Sequence, residues 1–156
     1  MYPKSNLYLL KVQWRNELNQ EGFKILEHPA DLGIEAYGKD LREAFEQAAV
    51  ALMSIILDLS SIKHRQSMTV ELSATDYEHL LVKWLTEVLY LYDGKGFVGN
   101  AFHISELGPT HLKATIMGEQ FDHEKHPTLL DVKAVTYHQL LVKENGEGLV
   151  RVFLDI

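Results

Sequence analysis

The sequence predicts an α+β fold in a single domain, a mixed β-sheet with two helices packed on one face. Three observations predict it. Two stretches repeat apolar residues at three- and four-residue steps behind acidic capping signals, the mark of helices with one buried face. Most of the remaining chain alternates apolar and polar residues at every second position, the mark of half-buried strands. The two patterns are mixed without the strict strand–helix alternation of a doubly wound fold. At 156 residues the chain suits one domain, since domains run to roughly 100–200 residues. No repeat, low-complexity tract or linker divides it.

Residues 1–22 read as an N-terminal arm, disordered or additional to the fold, and residues 23–156 as the domain. The arm's apolar run, 7–10, is too short for a signal-peptide core or a membrane span, and Val12, Trp14 and Leu18 follow no clear period. Residues 23–26 read as a strand and Glu27-His28-Pro29-Ala30-Asp31 as a polar turn. Leu32, Ile34 and Ala36 alternate with Gly33 and Glu35 in a second strand, which Gly38 breaks. Asp40 and Glu43 have capping-box spacing, and Leu41, Ala44, Phe45, Ala48, Leu52, Ile55, Ile56 and Leu59 form the stripe behind them. Met68, Val70 and Leu72 alternate in a strand. Thr75 and Glu78 repeat the capping signal for a second helix, with Leu81, Trp84, Leu85, Val88 and Tyr92 on its buried face and Gly94 and Gly96 at its end. Strands follow at 97–105, 111–118, 131–142 and 149–155, the last two joined by an Asn145-Gly146 turn.

Composition narrows the function classes. The chain has no cysteine, which removes disulfides, thiolate nucleophiles and cysteine-based metal sites, and fits a reducing compartment. Twenty-two acidic against 15 basic residues leave a formal charge of −7. Tight grip on nucleic acid draws on Lys and Arg displacing counterions, so this balance favours a cation or a basic protein partner over RNA.

Gly94-Lys95-Gly96-Phe97-Val98-Gly99 matches a dinucleotide fingerprint letter for letter. That fingerprint needs a strand before it and a helix after it, and here the order is reversed, so a helix stop is the better account. Asp122-His123-Glu124-Lys125-His126 holds possible zinc or iron ligands but reads as a solvated loop before Pro127. His28 is a possible general base with no nucleophile beside it, and no nucleophile elbow, phosphate loop or zinc-protease helix is present. The chain's last two residues carry more. Asp155 stands next to the terminal carboxylate of Ile156, on a strand whose Val150, Val152 and Leu154 alternate up to the end. Crowded carboxylates repel unless a cation lies between them. With Asp31 added the donors are oxygen only, the set that selects calcium or magnesium over zinc. By pattern alone, an exposed acidic terminus and a metal site both remain open, because nothing local brings Asp31 to Asp155.

The stretch FKILEHPADLGIEAYGKDLREAFEQAA (23–49) strongly resembles the opening of the archease family. So do LLVKWLTEVLYLYDGKGFV (80–98), VKAVTYH (132–138) and the terminal Asp155-Ile156, in the family's order. One departure is Pro29, where the family usually has threonine; proline supplies neither hydroxyl nor backbone N–H. The resemblance implies a compact α+β cytoplasmic protein with no chemistry of its own. It would activate the GTP-dependent ligase of tRNA splicing, which joins a 3′-phosphate RNA end to a 5′-hydroxyl end, by promoting its guanylylation and multiple turnover. It also implies a calcium-like ion held by Asp31, Asp155 and the carboxylate of Ile156. Glu27, His28, Asp131, Lys133, Thr136 and His138 lie in the matching blocks, either beside that site or in plain strand packing. A stand-alone metal-dependent hydrolase and a general protein chaperone are the competing readings. The charge balance gives the first test. Anisotropy titrations with tRNA halves near physiological salt are expected to show no tight binding by the protein alone, and sub-micromolar affinity would contradict that expectation.

Overall fold

Helix α1 (Leu41–Ile56) starts where the capping signal sets it. The Asp40 side chain accepts from the Glu43 N–H at 2.9 Å, and Glu43 reaches back to the Lys39 N–H at 3.3 Å. Caps of this kind stabilise a helix by about 1 kcal/mol. Helix α2 (Tyr77–Asp93) begins one residue later than the capping spacing suggested. Its cap is Asp76, whose carboxylate accepts from the His79 N–H at 2.8 Å, while the Thr75 hydroxyl lies 3.3 Å from the His79 ring. An aspartate directly after a threonine takes the cap because its charged oxygen is the better acceptor.

The computed structural model describes residues 22–27 and 31–156. The arm, apart from Gly22, and the turn residues His28, Pro29 and Ala30 lie outside the described residues. Seven strands accompany the helices among the described residues: β1 (Phe23–Glu27), β2 (Asp31–Gly38), β3 (Gln66–Ser73), β4 (Phe97–Gly108), β5 (His111–Gln120), β6 (Ala134–Glu144) and β7 (Gly148–Asp155). A short 3-10 turn, Leu59–Ser61, follows α1, so Leu59 falls outside the helix whose stripe it seemed to extend.

The expected α+β architecture with two helices holds, but the single mixed sheet does not. The strands divide into a four-stranded sheet, β1-β2-β7-β6, and a three-stranded sheet, β3-β5-β4. Every pairing is antiparallel. Alternation in sequence marks a strand but not its partner, and here short connections join β4 to β5 and β6 to β7, which forces antiparallel pairs. Both helices pack against both sheets, α1 on β1, β2, β7 and β4, and α2 on β6, β3, β4 and β5. This explains why Ala49, Ala51 and Met53 are buried beyond the single stripe read from α1. The buried Trp84 locks the two helices together. Its indole N–H donates to the Phe45 carbonyl at 2.9 Å, and its ring meets Phe102 edge-on at 6.1 Å.

The first sheet has an inner and an outer face. Leu32, Ile34 and Ala36 of β2 and Val150, Val152 and Leu154 of β7 point into the core and are buried. By alternation Asp31, Gly33 and Glu35 face outward, opposite Asp155, Phe153 and Arg151. β6 starts later than expected, at Ala134, and carries a wide bulge between Thr136 and Leu141. Within the bulge Gln139 takes a left-handed φ of 48°, held by the Arg151 Nε–H donating to its carbonyl at 3.2 Å.

Candidate functional site

β2 begins at the sheet end where β7 and the chain finish, and the register there is direct. Asp31 is the cross-strand partner of Asp155, and Ala134 of β6 flanks Asp155 on its other side. Residues opposite one another in an antiparallel pair share a face, with Cβ atoms about 4.5–5.5 Å apart, and like charges so placed are destabilising. Asp31 is half-buried and Asp155 exposed. Nothing local in the sequence joined these two residues; the pairing of β2 with β7 does.

Ile156 completes the arrangement through its side chain. It falls on the inner face in step with Val152 and Leu154 and packs, partly buried, against the core. The Lys133 N–H donates to the Asp155 carbonyl at 2.8 Å. Ile156 is thus held through its side chain, and Asp155 just before it through its backbone carbonyl.

Phe153 supports the same end from the outer face, where it is only 4% exposed. Its ring lies over Gly33, where an added Cβ would sit 2.8 Å from Phe153 Cε1. Only a glycine admits that approach. The Thr136 hydroxyl donates to the Phe153 carbonyl at 2.9 Å, and the His138 ring meets Phe153 edge-on at 5.7 Å. Two of the flanking residues singled out in the sequence thus hold β7 in place. Asp131, exposed ahead of β6, is a neighbour of Asp93 at the end of α2. Burial, and then the Asp131 charge, hold the Asp93 carboxyl above the ordinary carboxylate range.

As a cation cradle, this end offers carboxylate oxygens of Asp31, Asp155 and the chain terminus. Among the described residues no group of three or more His, Cys, Asp or Glu side chains is arranged to hold a metal, so the terminal carboxylate would have to serve as the third donor. Two directly opposed acids and a fixed terminus fit a hard cation, whose charge would offset their repulsion.

Two other sequence signals are resolved. The Gly94–Gly99 segment is a helix stop, as expected: the Gly94 N–H donates to the Tyr90 carbonyl at 2.7 Å, and Gly96 turns at φ +62° into β4. The reading of 122–126 as a solvated loop is overturned at His126, which is completely buried. Its Nε2 lies 3.0 Å from Glu119 Oε2, and its Nδ1 accepts from the Asp122 N–H at 2.9 Å. That pair of bonds requires a neutral ring with the proton on Nε2. Glu119 also accepts from the Lys63 N–H at 2.7 Å and pairs with Arg65 at 3.3 Å. Its carboxyl is held below the ordinary range, first by the Lys63 N–H and then by His126. A histidine among charged neighbours reads as polar, and its burial depends on Glu119, a partner on β5 that local pattern does not reveal.

Two helices packed against a four-stranded and a three-stranded antiparallel sheet make this an α+β protein of two-sheet type. The model of the Archease protein family matches residues 23–156, and the chain belongs to that family. It is similar to protein archease of Sulfolobus acidocaldarius, 38% identical over 136 residues, covering 86% of this chain and 98% of the relative. Protein archease of Methanosarcina acetivorans is 38% identical over 139 residues, covering 86% and 95%. The solution structure of Methanobacterium thermoautotrophicum protein 1598 matches with a TM-score of 0.72 at 35% identity, over 88% of this chain and all of that one. A crystal structure from Thermotoga maritima, described as an archease and possible chaperone, shares the fold at a TM-score of 0.58 and 19% identity, over 84% and 94%. Among the described residues no helix is long and apolar enough to cross a membrane.

The opposed aspartates make a direct prediction. In chelating buffer, Asp155→Asn is expected to unfold at the wild-type temperature or above it, since relief of a like-charge cross-strand pair is worth about 0.2–1 kcal/mol. A loss of stability in a calorimetric melt would show that Asp155 makes a favourable contact instead.

Proposed function

We propose that this archease is a non-catalytic cofactor protein that activates the GTP-dependent RNA ligase of tRNA splicing through its acidic strand end. A hard divalent cation, calcium or a close relative, is held there by Asp31, Asp155 and the carboxylate of Ile156. When bound, the cation supplies positive charge that neutralises the opposed carboxylates and fixes the terminus. The observation that carries this reading is the register pairing of Asp31 with Asp155 beside an anchored chain end. An oxygen-only donor set suits such an ion, and the −7 charge suits a protein partner with a basic surface better than RNA. On this reading the ligase is the physiological partner in the cytoplasm, and the archease promotes its guanylylation and repeated turnover.

The chaperone reading draws on the words used for the Thermotoga maritima relative. General chaperones need contiguous apolar surface, whereas the large exposed apolar side chains among the described residues are the scattered Tyr90, Leu129 and Tyr137. A stand-alone hydrolase would need a base and an open coordination position on the ion; turnover of phosphoesters by the purified protein would reveal one.

A guanylylation assay with the ligase from the same source tests the proposal. Asp31→Ala and Asp155→Ala are expected to abolish stimulation while leaving circular dichroism and the cooperative melt in metal-free buffer nearly intact. Wild-type stimulation by both variants would contradict it.

A further inference from the structure

Away from the acidic end, the loop after β5 shapes two adjoining cavities of 650 Å³ and 240 Å³ that share Arg65, Glu119 and Lys125. The smaller one is lined by Lys63, Arg65 and Lys125 with Glu119 as its one acid. Three cations against one buried carboxylate stand out in a chain of formal charge −7. Glu119 is already engaged by the Lys63 N–H, by His126 and by Arg65 Nε. Arg65 meets it through Nε alone at 3.3 Å, and neither the Lys63 nor the Lys125 ammonium forms an ion pair among the described residues. The larger cavity is of different character. Phe121 and the exposed His123 line it with their rings 4.8 Å apart, Gln66 and Gln120 add amide groups at its wall, and Asp122 and Glu124 add two carboxylates, so the cation excess belongs to the smaller cavity alone.

The walls are set before any ligand arrives. His126 fixes the loop by bonding Glu119 on one side and the Asp122 N–H on the other, while its own N–H and that of Lys125 donate to the Asp122 carbonyl. The His126 ring also stacks on Phe121 at 5.8 Å. A cationic pocket next to an aromatic pocket with amides, on a rigid frame, is the layout that suits one phosphate joined to one flat heterocycle. Phosphate is held by guanidinium and ammonium donors, and a base stacks on aromatic rings regardless of its identity.

We propose that the paired cavities bind a nucleoside phosphate, with its phosphate on Lys63, Arg65 and Lys125 and its base against His123 and Phe121. The chain's negative charge opposes a long phosphate backbone, so the site takes a single nucleotide rather than a strand.

Calorimetric titrations test this with the four ribonucleoside 5′-monophosphates, the uncharged nucleosides, ribose 5-phosphate and inorganic phosphate, all in chelating buffer. At least one monophosphate is expected to bind about tenfold or more tightly than phosphate or nucleoside alone, with amide shifts in nuclear magnetic resonance spectra centred on Phe121 to Lys125. The exposed double substitution Lys63→Ala with Lys125→Ala should weaken it by about tenfold or more. Asp155→Asn should leave it unchanged, which separates this site from the acidic end and its proposed role. No binding by any monophosphate, equal affinity for inorganic phosphate, or affinity untouched by the double substitution would overturn the proposal. Tighter binding of an oligoribonucleotide than of its monomers would also overturn it, in favour of a strand track.

Discussion

The pairing of β2 with β7 is the constraint on which the rest depends. Eight consecutive register pairs run from Asp31 with Asp155 to Gly38 with Gly148, and they do two things together. On the inner face they align Leu32, Ile34 and Ala36 with Leu154, Val152 and Val150, the wall against which α1 packs. On the outer face the same alternation sets two carboxylates opposite one another at the end of the sheet. A slip of one residue would exchange the faces, burying the acids and exposing the core. The apolar pattern that makes the fold therefore also fixes the acidic site, and the repulsion between the aspartates is tolerated because many buried contacts hold the register.

The surroundings of β7 show how tightly that end is held. Phe153 lies on the outer face yet is nearly inaccessible, because Gly33 leaves room for its ring and Thr136 and His138 close over the strand. At the other end of the strand Gly148 passes so close to the start of α1 that an added Cβ would lie 2.2 Å from the Asp40 carbonyl oxygen. β7 is thus clamped at both ends. On the proposed reading, a terminal carboxylate at the end of so constrained a strand would lose less entropy on binding a cation than one at a frayed end.

Most of the elements were legible in the sequence because each announces itself locally. Asp40 caps α1 as read, the capping signal for α2 fell one residue early at Thr75, glycines end α2, and Asn145-Gly146 turns β6 into β7 with Gly146 at φ +78°. What local pattern did not reveal were the long-range matters: two antiparallel sheets in place of one mixed sheet, the bulge in β6, and the burial of His126 on Glu119. The candidate site divides in the same way. Asp155 and Ile156 drew notice from their place at the chain end, whereas the proximity of Asp31 entered only as an implication of the family resemblance. The structure supplies the physical link as a register pair. Of the cavities around Arg65 and Phe121 only the 122–126 run drew notice, as possible metal ligands in a solvated loop, since the remaining walls come from β3, β5 and a loop far apart in sequence.

On the proposed reading the carboxylate of Ile156 acts together with the opposed aspartates as a cation ligand. Calcium takes six to eight oxygens at about 2.3–2.6 Å, so two aspartates alone leave a sparse shell. The most direct test is isothermal titration of calcium into three forms of the protein: the native chain, a semisynthetic chain amidated at Ile156, and a chain extended beyond it. Amidation removes the charge with almost no added bulk, and extension removes it and adds bulk. Clear calcium binding is expected of the native chain, weaker binding of the amidated form and the weakest of the extended one. Equal affinity in all three would contradict it and reduce Ile156 to a strand end.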